Sequence, residues 1–255
     1  MTTLQLNTER KLLLGAIHLP SFLGAVDRSR FEAIQAYALR NARIFAEGGF
    51  DGVFLQDQTE GPSTAQSIAM LSALTRYVSS QVDSIALGSQ MECDEAEPIL
   101  AVAHASAASF VRIKAYVGTM IKDRGLVQGQ CHSAYSYKKT QGIEALIFAD
   151  IFDRCGVPLG DLSLVQAAKF ALQKGADGLV ITGKDYEQTL EMLSEVKKAF
   201  PQAKAICGGS VTKQNIQEVF SIADGAIVSS SLKSDTDSES WSVEKIKELV
   251  AHARR

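Results

Sequence analysis

Short apolar runs, each closed by a polar residue or a glycine and each separated from the next by helical periodicity, recur about eight times along this chain. That alternation constrains the fold more than any other feature. Leu12 to Ile17 is a continuous apolar run ending at His18 before Pro20, as expected of a strand covered on both faces. Further strands are expected at Gly52 to Leu55 (with Gln56 and Asp57 at the carboxyl end), Ser84 to Gly88, Phe110 to Lys114, and Leu146 to Ala149 ending in Asp150. Gly178 to Thr182 ending in Gly183, Ala205 to Cys207 and Ala226 to Val228 complete the set. Helices are expected over Arg30 to Glu47, from a cap at Ser63 or Thr64 to about Ser79, and onward from Asp94 and Glu95. Others cover Leu162 to Lys174, Tyr186 to Phe200, a segment from near Thr212, and Val243 to Ala253. Glycine-bearing turns recur ahead of strands as EGGFDG, GADG and ADG, which marks parallel βα units. The count predicts an α/β fold, a single (β/α)8 TIM barrel occupying residues 1–255 as one domain. The alternative, an open doubly wound sheet, lacks its G-x-G-x-x-G turn after the first strand.

Composition narrows the partners. The 255 residues carry a net charge of −3, with lysine and arginine scattered among acids, which predicts no nucleic-acid partner. Cys93, Cys131, Cys155 and Cys207 show no CxxC spacing, so neither a zinc ribbon nor a disulfide scaffold is expected, and reduced thiols point to a cytoplasmic location. No stretch approaches the roughly 18 uninterrupted apolar residues of a membrane span. Membrane contact is therefore expected to be peripheral at most, and a homo-oligomer, commonly a dimer, is compatible with the chain.

Chemistry is expected at the carboxyl ends of the strands, the catalytic face of such barrels. The turns Gly208-Gly209-Ser210 and Ser229-Ser230-Ser231 follow consecutive strands, the seventh and eighth, where backbone N–H groups can hold a phosphate. Gly183, after the sixth strand, is a further candidate of the same kind. In the fourth strand Val111 and Ile113 share one face and Arg112 and Lys114 the other, so the cations are expected inside the barrel, where they need carboxylates or a ligand. Asp150 is a candidate general base beside them, or else the partner of a structural ion pair. His18 suits acid–base work near neutral pH, or is a buried histidine bonded to a loop. Lys114 could act as a nucleophilic amine, pair with Asp150, or contact a phosphate. Asp57 extends the carboxylate set; with Asp150 it would suit magnesium, yet no third acid stands at a defined spacing and no metal ligands are assigned. The Gly-rich segment Tyr116 to Gln130 is expected to be a lid or binding loop.

Several motifs carry a family resemblance: HLP at 18–20, EGGFDGV at 47–53, VRI at 111–113, GTMIKDRGLVQG at 118–129, IFAD at 147–150, DGLVITG at 177–183 and ADGAIVSSSLKSD at 223–235. Together they resemble the BtpA/SgcQ family, named for a photosystem I biogenesis protein, nearly end to end. The resemblance implies a TIM-type barrel, soluble or peripherally attached, whose reaction is unsettled; relatives also occur in non-photosynthetic organisms. Where the family has an acid-Asn pair after strand two, this chain has Gln56 and Asp57; Ser89, Gln90 and Met91 replace an asparagine-rich turn. Asp153-Arg154-Cys155 replaces Lys-His after strand five, and Ser229-Ser230 replaces Gly-Thr. Asp150 is kept.

Three functions are consistent with this reading. The first is an enzyme acting on a phosphorylated metabolite, sugar phosphate or nucleotide-like, by acid–base chemistry: a lyase, isomerase or hydrolase. The second is an accessory factor of the photosystem I biogenesis type that works through its surface. The third is a metabolite-binding barrel that has lost catalysis. Fold alone does not choose among them.

Overall fold

The computed structural model describes residues 2–6, 9–22, 24, 26–93 and 95–254. In chain order the elements are β1 (Leu12–His18), α1 (Arg28–Gly48), β2 (Gly52–Asp57), α2 (Ala65–Gln81), β3 (Ala86–Met91), α3 (Glu97–Ser106) and β4 (Phe110–Ile113). Then follow β5 (Thr119–Lys122), β6 (Gly125–Gln128), α4 (Cys131–Gln141), β7 (Leu146–Asp150), β8 (Val157–Pro158), α5 (Leu164–Gln173) and β9 (Gly178–Ile181). The chain ends with α6 (Tyr186–Ala199), β10 (Ala205–Cys207), α7 (Ile216–Ile222), β11 (Gly225–Val228) and α8 (Val243–Ala253).

Eight parallel strands close in the order β1-β11-β10-β9-β7-β4-β3-β2. Closure satisfies every edge, and the helices cover the outside, which is why the strands are apolar on both faces. Side-chain alternation splits the apolar residues into two clusters. Inward-facing Leu14, Phe54, Phe110, Phe148, Val180 and Ile206 fill the barrel. The Phe54, Phe110 and Phe148 rings meet edge to face at 6.2 and 5.5 Å. Gly88 gives Phe110 its room, since a Cβ there would lie 2.4 Å from the ring. Outward-facing Val53, Val111, Ile113, Ile147 and Ile181 join the helix faces. Above the aromatic layer the inward residues turn polar, and the site begins there.

Local signals set the helix ends. Asp27 caps α1, whose C-cap Gly49 takes φ 90, while Thr64 with Ser67 and Ser163 with Gln166 form capping boxes at α2 and α5. Differences from the sequence reading are confined to boundaries and to one loop. The third strand runs to Met91 rather than ending at Gly88, because Leu55, Gln56 and Asp57 of β2 pair with Ser89, Gln90 and Met91. Helix α3 starts at Glu97, ahead of Pro98; of the expected opening pair, Asp94 lies outside the described residues. Helix α7 is a seven-residue helix starting at Ile216 rather than near Thr212, because Asn215 Oδ1 accepts the Thr212 N–H and holds a turn there. The expected lid at Tyr116 to Gln130 has structure of its own. β5 and β6 form a hairpin around Asp123 and Arg124, and β8 pairs on the other side of β5.

Candidate functional site

At the carboxyl end of the barrel a cavity of about 430 Å³ opens above the aromatic layer. It brings together His18, Lys114, Asp150, Gly208, Gly209, Ser210, Ser229 and Ser230, eight of the residues expected from sequence, along with Gln56, Arg112, Asp153, Arg154 and Thr182. Asp57 and Gly183 are not among its walls. Gln56 faces the barrel, so Asp57, one residue further, faces the helices, fully buried. Thr59 donates to Asp57 Oδ1 from both its N–H and its hydroxyl, while burial pushes the Asp57 carboxyl up from its ordinary value. Asp57 and Asp150 therefore share no space that could hold magnesium. Gly183 is set by packing: its N–H donates to Thr189 Oγ1 at 2.9 Å, and a Cβ would lie 2.8 Å from the Thr189 nitrogen.

The inward cations of the fourth strand find carboxylates, with the pairing redistributed. Arg112 takes Asp150 through two parallel bonds, Nε to Oδ2 and Nη2 to Oδ1, both 2.8 Å. Both oxygens of Asp150 are thereby engaged, and the carboxylate raises the Arg112 pKa despite the opposing effect of burial. Lys114, expected to pair with Asp150, instead lies 3.5 Å from Asp153 Oδ1 and 3.9 Å from Glu92 Oε1. Lys122, reaching in from the hairpin, donates to Asp153 Oδ2 at 2.8 Å. Burial would raise the Asp153 pKa, but Lys114 and Lys122 outweigh it and hold the carboxyl at about 2.

His18 ends β1, half-buried at the cavity wall, and its carbonyl accepts from Tyr37 Oη at 3.0 Å. Burial first, then the charges of Lys233, Arg112 and Lys114, lower its pKa and favour the neutral ring. A neutral imidazole among cations can accept a proton or donate its N–H.

The two small-residue turns meet at the opposite wall. Gly208 is fixed by packing, because a Cβ would lie 1.9 Å from Thr182 Oγ1, and its N–H donates to Ile181 O. Gly209 is less confined: a Cβ there would make ordinary van der Waals contact, nearest to Arg154 Nη1 at 3.5 Å. Ser210 adopts φ 60, unusual for a residue with a side chain, and Asn215 Nδ2 holds its carbonyl at 2.9 Å. Cys207 packs against this turn: its thiol donates to the Gly209 carbonyl at 3.4 Å and the Gly209 N–H is directed at the sulfur, whereas among the described residues none accepts a hydrogen bond from the Ser210 N–H. In the second turn Ser229 Oγ donates to Ala16 O and Ser231 Oγ to Val211 O, so these hydroxyls tie the turn to β1 and to the first turn. Lys233 follows, 3.5 Å from the Trp241 ring centroid.

Sequence reasoning gave no site role to Arg154, Asp153, Lys122, Glu92 or Thr182, although Asp153 and Arg154 were noted where the resembled family has Lys-His. Alternation could have placed Thr182 inside, since Gly178, Val180 and Thr182 share a face. The Lys122–Asp153 pair joins residues 31 positions apart through the hairpin, and no local pattern announces it.

The family and structural relationships agree with this architecture. Residues 9–255 match the BtpA family. The photosystem I biogenesis protein BtpA of Synechocystis sp. is 28% identical over 229 residues, covering 87% of this chain and 80% of that protein. An uncharacterized protein of Thermococcus kodakarensis is 28% identical over 255 residues, 96% of each chain. Among solved structures, thiamine phosphate pyrophosphorylase from Pyrococcus furiosus gives a TM-score of 0.59 at 17% identity over 98% of both chains. Phosphoribosyl anthranilate isomerase from Thermus thermophilus gives 0.57 at 12% identity, over 95% of this chain and 98% of that one. At such identities the structural likeness carries the fold alone. The family match, running over nearly the whole length, is decisive: this chain belongs to the BtpA family.

Proposed function

We propose that the cavity binds a phosphorylated small molecule and acts on it by acid–base chemistry. Its phosphate would lie between the Gly209-Ser210 and Ser229-Ser231 turns, under Arg154, and His18 would be the proton-transfer group. The observation that carries this reading is Arg154. It lines the cavity over bare glycine backbone, and no described carboxylate pairs with it, whereas Arg112 and Lys122 are each neutralised by an aspartate. An unpaired cation beside the free Ser210 N–H is complementary to an anion, and it makes the mouth locally positive in a chain of net charge −3. Asp150 then acts as the counter-ion of Arg112 rather than as the base. The structural neighbours support the reading in a general way, since both are named for phosphorylated small molecules.

A thermal-shift screen of phosphorylated compounds tests it. A specific ligand at about 100 times its Kd adds about 2.7 kcal/mol, which for this size raises Tm by roughly 5 to 10 °C. Arg154→Gln should remove most of that rise. Equal shifts in both proteins, or none in either, would contradict the reading.

A surface role of the kind named for the Synechocystis relative has one observation in its favour. Leu126, Ile121 and Val157 stand in one row across the hairpin sheet, exposed by 65, 46 and 65%. An apolar row of this kind beside the mouth would suit a protein contact.

A further inference from the structure

Across the barrel from the two turns stands a polar group that a phosphate does not need. In the closed ring β3 lies four strands from β10, and β4 four strands from β11, so residues ending β3 and β4 face the turns over the full width of the mouth, with the end of β2 beside them. Glu92, just past β3, is gripped there by two carboxamides: Gln56 Nε2 donates to its Oε1 at 2.6 Å and Gln90 Nε2 to the same oxygen at 2.7 Å. Lys114 Nζ lies 3.9 Å from that oxygen and 3.5 Å from Asp153 Oδ1, both longer than a formed hydrogen bond. Oε2 of Glu92 receives no donor from the described residues, and the Lys114 ammonium keeps protons to give. Glu92 and Lys114 are 18 and 13% exposed, and Gln56 and Lys114 line the same cavity as the turns.

A fixed acceptor beside an available donor matches a hydroxyl, which accepts and donates at once. It is a poor match for an alkyl chain, whose contact would strip water from both charges without replacing its hydrogen bonds. We infer that Glu92 and Lys114, steadied by Gln56 and Gln90, form a hydroxyl-reading subsite, so that the ligand is a phosphorylated polyol of sugar size spanning the mouth. This rests on the phosphate reading of the turns and adds the chemistry of the ligand's other end.

The experiment is a calorimetric comparison of ribose 5-phosphate with butyl phosphate, which share the phosphate but not the hydroxyls. The wild type should bind ribose 5-phosphate at least about tenfold more tightly, the order expected of hydrogen bonds to charged groups. Glu92→Gln keeps the volume and the grip of the two carboxamides on one oxygen but turns the other oxygen, Oε2, into a donor beside Lys114. It should erase the advantage while leaving butyl phosphate binding within about twofold, which also reports an intact fold. Lys114→Gln should act the same way. Equal affinities for the two compounds in the wild type, or an undiminished preference in both variants, overturn the subsite and leave the phosphate reading standing. Failure of the wild type to bind either compound overturns both.

Discussion

Arg112→Met should be one of the most damaging single changes in the barrel that leaves the apolar layer untouched. The replacement removes the only cation among the described residues that is bonded to Asp150, a carboxylate whose side chain is 2% exposed, and with it two bonds of 2.8 Å. A buried ion stranded in this way costs about 3–5 kcal/mol, a large part of the 5–15 kcal/mol that a typical domain possesses. Asp150→Asn should cost less. Its amide oxygen still accepts from the guanidinium, and the charges of Glu92 and Asp153 still favour the Arg112 cation. The double variant Arg112→Met/Asp150→Leu buries no ion and should recover to within about 2 kcal/mol of wild type. Urea unfolding at pH 7, read as Cm with m unchanged, gives the three losses. A double variant no more stable than Arg112→Met alone, or an Arg112→Met cost below about 1 kcal/mol, would refute the argument that Asp150 serves chiefly as a counter-ion.

Asp153 should govern part of the acid limb. Its carboxyl is held at about 2 against an ordinary 3.8, so its contribution is complete above about pH 5 and disappears as pH falls through 2, and wild type should lose about 2 kcal/mol more than Asp153→Asn over that range. The pKa of His18 is lowered, so the native state binds fewer protons than the unfolded chain and stability rises with pH from that lowered value up to the ordinary 6.5. An NMR titration of the His18 ring should show a midpoint below 6.5, and a midpoint at or above it would contradict the electropositive site. Gly208→Ala drives a methyl against Thr182 Oγ1 and Val180 Cγ1 and should cost about 1–3 kcal/mol, whereas Gly209→Ala, whose methyl meets Arg154 only at ordinary contact distance, should stay within about 0.5 kcal/mol.

What the sequence made legible follows from periodicity. Parity along Phe110 to Lys114 put Arg112 and Lys114 on the barrel side, and the structure finds both there with carboxylates. The same parity, carried from Phe54 through Gln56, excludes Asp57 from the interior; grouping it with Asp150 rested on residue type and position at a strand end rather than on facing. Which cation meets which acid was not legible. Asp150 and Asp153 compete for Arg112, Lys114 and Lys122, and the outcome depends on where the 119–128 hairpin folds back, a long-range contact without local signature. The glycines of the seventh-strand turn were read as one group, but they divide by tertiary contact. Gly208 is required by Thr182 packed beneath it, and only Gly209 leaves backbone open toward the cavity. Arg154 entered the reading as the loss of a family pair, and its place over Gly209 depends on two strand ends that the sequence separates by more than 50 residues.

The most direct measurement is the position of phosphorus in crystals of the protein grown with ribose 5-phosphate. The account predicts a phosphate within hydrogen-bond distance of the Ser210 N–H and of Arg154, with the sugar directed toward Glu92 and Lys114. A phosphate bound elsewhere, or a cavity holding only solvent at saturating ligand, would contradict it.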